Sequence, residues 1–203
     1  MDGLSTNLAM CRLFGCSFDL PNNIQTSFLS PSNGLKINVV LDACHMLKLM
    51  RNTFFSYQIL SYNGNTIKWE FLQNLVNYQQ QIKMKIANKL TINHIEFQNH
   101  KMKVKYAAQL FSSSVAKSLE LLKNVDGFKG VSETINFINN INFINNINDL
   151  FDILNSRTLY NKNWKKAINN GNLMGTIDKL YNIKAYLLSI KDVNGINLYK
   201  TKR

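Results

Sequence analysis

Apolar side chains return every three or four residues along much of this chain, and that spacing puts them on one face only in an α-helix. The clearest case runs from Lys101 to Lys123, where Ala107, Ala108, Leu110, Phe111, Val115, Leu119 and Leu122 form one broad stripe and Gly127 follows as a stop. Met46, Leu49, Met50 and Phe54 give a second stripe, with His45, Lys48 and Arg51 together on another face. Thr66, Trp69, Leu72, Leu75 and Val76 predict a third helix after a turn at Tyr62-Asn63-Gly64-Asn65, and Ile177, Leu180, Ile183, Leu187 and Ile190 a last one.

The first forty residues read differently. Asn7 to Phe14 predicts a short helix closed by Gly15, and Pro21-Asn22-Asn23 and Ser30-Pro31-Ser32-Asn33-Gly34 are loop signals. Leu35 to Leu41 is short and β-branched, and predicts a strand that becomes buried at its end. The expected fold class is therefore mainly α, with a short α/β remnant at the N-terminus.

One hexapeptide, Ile135-Asn136-Phe137-Ile138-Asn139-Asn140, recurs verbatim as Ile141-Asn142-Phe143-Ile144-Asn145-Asn146. Six residues are not a whole number of helical turns, so the copy rotates all later side chains by about 120°. Asn and Ile are mediocre helix formers. The expectation is a slip duplication inside a helix that weakens it, with deletion of one copy restoring phase and raising the melting temperature.

The composition narrows the functional classes. With 203 residues and 45% hydrophobic content the chain can bury a core. It has no apolar run of about 18 residues, so no membrane span is expected. Nor does its start carry the basic and apolar regions of a secretory signal. The cysteines Cys11, Cys16 and Cys44 lack metal-type spacing with one another or with His45, His94 and His100, and are expected as reduced, buried thiols. The net charge of +12 points weakly to polyanions. It is concentrated after residue 35: thirteen Lys/Arg face five acids in 36–130, and ten face five in 131–203.

Six strings, in order, resemble P-element-type DNA transposases, a group that includes the THAP-domain transposase-like proteins. They are Asp2-Gly3 with Asn7 and the Gly15-Cys16 loop; Asp42-Ala43-Cys44-His45 continuing to Arg51-Asn52; Ile67-Lys68-Trp69-Glu70; Ala87-Asn88-Lys89-Leu90-Thr91 with His94; Lys101-Met102-Lys103-Val104 with Ala107-Ala108-Gln109; and Phe151-Asp152-Ile153-Leu154-Asn155-Ser156-Arg157. The resemblance implies an RNase H-like nuclease interrupted by a helical GTP-binding insertion. Residues 1–44 would be the end of the first RNase H-like half, 45–165 the insertion, and 166–203 an exit segment towards the second half. It also implies a nuclear protein that works on transposon-end DNA, with GTP and with Mg²⁺ held by three carboxylates; a homo-oligomer is an open alternative for its assembly. Asp2 matches one of those carboxylates; the other two are expected outside this chain, so no DNA cutting is expected from it alone.

Asp42 is read first as a helix cap and second as a metal ligand, with His45 a structural hydrogen-bonder. The resemblance assigns nucleotide binding to Phe151, Asp152 and Asn155: a carboxylate can accept from guanine N1–H and its amino group, and a ring can stack on the purine. Asn88-Lys89-Leu90-Thr91 echoes the guanine-reading motif of ordinary GTPases, but Thr91 stands where its Asp should be. A Gly-x-x-x-x-Gly-Lys-Ser/Thr loop is also missing, so GTP is expected as a ligand rather than a substrate. Lys89, Lys101 and Lys103 are candidate triphosphate contacts, and Lys48, Arg51, Lys165 and Lys166 candidate DNA-phosphate contacts, with a solvated face as the alternative. Two rival readings stay open: a domesticated or decayed DNA-binding module without GTP, and the product of a degenerate copy.

Overall fold

The computed structural model describes residue 1 and residues 5–19, 21, 23–123, 125, 128 and 134–200. Asp2 and Gly127 lie outside the described residues, so the readings placed on them have no structural counterpart here.

Helix α1 (Ser5–Leu13) closes as expected. Gly15 sits at φ +91°, its N–H donates to the Arg12 carbonyl at 2.9 Å, and the Cys16 N–H donates to the Cys11 carbonyl at 3.0 Å. This is the paired closure that a left-handed residue after a helix permits. Two small antiparallel hairpins follow, β1 (Ser17–Asp19) with β2 (Asn23–Gln25), and β3 (Ser27–Leu29) with β4 (Lys36–Asn38). The strand expected over Leu35–Leu41 is only three residues long, and its burial is corrected: Leu35 is 66% and Val40 68% exposed. Among the described residues β4 pairs only with β3, and all three of its residues are exposed.

Helix α2 (Ala43–Tyr57) starts where the cap predicts. Its buried residues are Leu47, Arg51 and Phe54, and Met50 packs against the core, so the stripe read in the sequence holds at Met50 and Phe54, while Leu49 is exposed and Leu47 and Arg51 join the inward face. The Asn63-Gly64 pair, both at positive φ, makes the tight turn of a hairpin between β5 (Ile59–Tyr62) and β6 (Asn65–Lys68). Thr66 and Ile67 therefore belong to a strand, not to the expected helix, which begins later as α3 (Glu70–Gln81) and buries Phe71, Leu72, Leu75 and Val76. The long helix expected over Lys101–Lys123 is two: α5 (Val104–Leu110) and α6 (Ser113–Leu122), broken where Ser112 adopts ψ 154°. A short α4 (Ile92–Ile95) precedes them.

Helix α7 (Thr134–Leu154) contains both hexapeptide copies and packs along α6 and β6. Here the expectation of a weak point is corrected. Phe137 lies against Phe71 (ring centroids 5.4 Å) and Phe128 (5.9 Å), while Phe143 lies against Phe54 (5.0 Å) and Phe111 (5.9 Å), and both are fully buried. The rotation between copies serves the packing, because the helix is covered on two sides. The asparagines are also used. Asn136 Oδ1 accepts from the Thr66 N–H (2.8 Å) and Asn140 Oδ1 from the Lys68 N–H (3.2 Å), so two helix side chains satisfy donors of strand β6. Strand β5 exchanges two hydrogen bonds with the chain after α8 (Leu173–Ser189), between Ser61 and Lys191 (2.8 and 2.9 Å). The hairpin thus has partners on both sides.

Candidate functional site

Asp42 is the N-cap of α2: its carboxylate accepts from the Cys44 N–H (3.2 Å) and the His45 N–H (2.9 Å). That satisfies two donors of the first turn and leaves little for a metal. Among the described residues no group of three His, Cys, Asp or Glu side chains is placed to hold a metal ion. The described part of the chain therefore offers Mg²⁺ no carboxylate cluster.

The last turn of α7 holds Phe151 and Asp152, two of the three residues assigned to the nucleotide, and Asn155 comes just after it. Phe151 is half-buried and packs on the core. Asp152 turns the other way: one oxygen accepts from Asn148 Nδ2 at 3.1 Å, and the other lies 3.9 Å from Lys165 Nζ. Burial pushes this carboxyl above the usual range, while Lys165 and the Asn148 amide pull it back down and Asp149 adds to the rise. Asn155 follows the helix, exposed, with its N–H on the Phe151 carbonyl at 2.9 Å. Beside them a cavity of about 290 Å³ opens between α7, the turn at Asn163–Lys165 and the start of α8. Ile153, Trp164, Lys166, Ile168 and Thr176 line it.

The proposed phosphate contacts lie elsewhere. Lys89, Lys101 and Lys103 are all exposed, and Lys103 Nζ stands 5.5 Å from the Tyr106 ring. The Lys101 carbonyl is held by Arg51 of α2. Of the candidate DNA contacts, Lys165 and Lys166 are exposed and Lys48 is half-buried. Arg51 is not on the surface at all, which corrects its placement among them.

Sequence reasoning missed what Arg51 does. Its Nη2 donates to the Lys101 carbonyl at 2.6 Å, its Nε and Nη2 reach Asn52 Oδ1, and its guanidinium lies 4.1 Å from the centre of the Phe97 ring. Desolvation lowers its pKa to about 10. The group fastens the segment carrying Lys101 to α2. Close by, His94 Nδ1 accepts the Thr91 N–H (3.1 Å) and Nε2 pairs with Gln109 Oε1 (3.0 Å), which requires the neutral Nε2–H tautomer. Desolvation holds its pKa below the ordinary value. Thr91 with His94, and Gln109, belong to two separate strings of the family resemblance; in the fold they meet in one hydrogen-bond relay centred on the buried His94.

The comparisons with known proteins agree with this fold. The model of the TNP-like GTP-binding insertion domain matches residues 44–167. The human DNA transposase THAP9 is 29% identical over the whole chain, and the Transposable element P transposase of Drosophila melanogaster is 32% identical over 66% of it. The chain spans only 22% and 17% of those two proteins. A chain of the Drosophila P element transposase strand transfer complex superposes on 98% of this one with a TM-score of 0.74 and 27% identity; 42% of that chain is covered. With well over half of its length matched by the family model, this chain belongs to the TNP-like GTP-binding insertion domain family.

Proposed function

We propose that this chain binds GTP at the C-terminal end of α7 and, within a larger P-element-like transposase, supports assembly of the protein with transposon-end DNA in the nucleus. The observation that carries the reading is Asp152. It is a desolvated carboxylate with Asn148 on one oxygen and only a long contact to Lys165 on the other, on a domain whose family is described as GTP-binding. A carboxylate so placed can accept both the N1–H and the amino group of guanine, while adenine offers an acceptor at N1. GTP acts as a ligand, since Lys89 and its neighbours build no phosphate-cradling loop. Lys89, Lys101 and Lys103 remain the candidates for the triphosphate, and Lys48, Lys165 and Lys166 for DNA phosphates.

Calorimetric titration of the chain with GTP and ATP tests this. Leaving the carboxylate without its donors costs about 1–3 kcal/mol, so GTP should bind roughly tenfold to a hundredfold more tightly. Asp152→Asn should erode the preference while keeping the melting temperature, and Phe151→Ala should weaken both nucleotides. Equal affinity for the two, or no binding by a folded sample, would transfer support to the second reading, a DNA-phosphate module indifferent to GTP. That reading draws on the exposed Lys165 and Lys166 and on a stretch, 153–177, that carries four Lys/Arg and no acid.

A further inference from the structure

Between α7 and α8 the chain makes a ten-residue loop, Thr158 to Ala167, whose two ends are tied together. The Ala167 N–H donates to the Thr158 carbonyl at 2.9 Å, and Thr158 bridges Lys166 as in a parallel pair. Inside it Asn161 Nδ2 donates to the Lys165 carbonyl (3.3 Å), and Asn163 takes the left-handed conformation at φ +53° that asparagine tolerates. Trp164 is the anchor: half-buried, it lines the cavity against α7 and α8, with Lys179 Nζ 5.6 Å from its ring. The loop is thus a closed, side-chain-packed unit rather than a trailing connection.

What this unit presents outward is unusual. Tyr160, four residues before the anchor, is 97% exposed. A lone exposed aromatic is ordinary, but this one stands among Arg157, Lys162, Lys165 and Lys166, all exposed. Lys165 meets Asp152 at 3.9 Å, and the sequence from 153 to 177 holds no acid to balance the others. A fully presented ring on a pre-ordered loop, bordered by cations, suits a partner that offers both anionic groups at regular spacing and free π-faces. In a duplex the bases are stacked and their faces are hidden. In an unpaired strand they are available, and stacking a base on an aromatic adds about 1–3 kcal/mol to what the phosphate contacts supply.

We propose that the Thr158–Ala167 loop is a contact for an unpaired DNA strand, with Tyr160 stacking on a base while Arg157 and Lys162 hold the flanking phosphates. The inference rests on the reading that the larger protein works on DNA, but not on GTP. Because the loop is already ordered by its own bonds, little ordering entropy is lost on binding.

The test is fluorescence anisotropy of the 203-residue chain with a labelled 20-nucleotide single strand free of self-complementarity, and with the same strand annealed to its complement. Tyr160→Ala should weaken single-strand binding about fivefold to a hundredfold and change duplex binding by less than about twofold, while Tyr160→Phe should behave as wild type because stacking needs no hydroxyl. Arg157→Ala and Lys162→Ala should each lower the slope of log affinity against log salt by about 0.7, the effect of one lost phosphate contact, and Tyr160→Ala should leave that slope unchanged. At 97% exposure Tyr160 should not alter the melting temperature, so misfolding is checked directly. Titration of the same Tyr160→Ala sample with GTP separates this from the nucleotide reading: GTP binding should persist when strand binding is lost. Single-strand affinity untouched by Tyr160→Ala, or a loss equal on single strand and duplex, overturns the proposal. No binding of either oligonucleotide also overturns it and leaves the loop as a surface for a protein partner.

Discussion

Deleting one hexapeptide copy should destabilise this protein, against the expectation from helical phase alone. Removing residues 135–140 or 141–146 yields the same sequence, so the shortened helix can choose between two registers. In the first, everything before the cut stays in place and later residues move up by six positions. Asp149 then enters the slot of Phe143, which is fully buried between Phe54 and Phe111. That register loses a ring worth about 3–5 kcal/mol and buries an unpaired carboxylate for several more. In the second, the C-terminal part stays and earlier residues move down. Val131 then stands for Phe137, Gly130 for Asn136 and Thr134 for Asn140. The reduced ring volume costs about 2–3 kcal/mol. The Thr66 and Lys68 N–H groups lose partners now at 2.8 and 3.2 Å, at about 1 kcal/mol each. The chain takes the cheaper register, so the loss is about 4–5 kcal/mol, a large share of the 5–15 kcal/mol that stabilises a typical domain. At about 2–4 °C per kcal/mol for a chain of this size, the melting temperature followed by circular dichroism should fall by about 8–20 °C. A deletion variant that melts at or above the wild-type temperature would refute the two-sided packing of α7.

Two further outcomes follow from the buried polar groups. Arg51→Lys should be more destabilising than Arg51→Met in chemical denaturation, because the ammonium keeps the desolvation cost yet loses the flat stack on Phe97, whereas Met keeps the stem and buries no charge; the reverse order would show that the charge itself is what the site needs. His94 has its folded-state pKa below the unfolded value, so as pH falls through about 6.5 the unfolded chain gains a proton that the folded chain resists, and stability drops. The wild-type melting temperature should therefore fall more steeply between about pH 7 and 5 than that of His94→Gln, and parallel curves would remove His94 from the relay.

How much was legible in the sequence depended on how far each signal reached along the chain. The Asp42 cap and the Gly15 closure are made within five residues, and both are found where the sequence put them. The apolar stripe of α8 also survives, with Ile183 and Ile190 buried. The break at Ser112 was hidden because the apolar period continues across it from Leu110 and Phe111 to Val115. The β5–β6 hairpin was read only as a turn: its strands are four residues each, and what holds them, Asn136, Asn140 and Lys191, lies about 70 or more residues away. Arg51 was misplaced for the same reason, since its main acceptor is fifty residues later. A basic residue on a helix face looks solvated until the segment that covers it is known.

The nucleotide candidates show the limit of local reading most sharply, because two carboxylates three residues apart on α7 look alike in the sequence. Asp149 lies 2.7 Å from Lys179 on α8, in a pair where both side chains are about three-quarters buried, so its charge is spent holding α8 to α7. Asp152 meets Lys165 only at 3.9 Å, with that ammonium 63% exposed, and such a contact stabilises little. Yet Asp152 is itself 16% exposed and pays the cost of desolvation, which is why its carboxyl is pushed up. A group that has lost water without gaining a full set of partners is disposed to accept donors from outside the chain. The first two-thirds of α7, fixed between α6 and β6, hold that carboxylate on a rigid arm, so the donors must come to it in one orientation. A guanine edge supplies two parallel N–H groups at the spacing of one carboxylate, which is what distinguishes Asp152 from its neighbour as the residue to test.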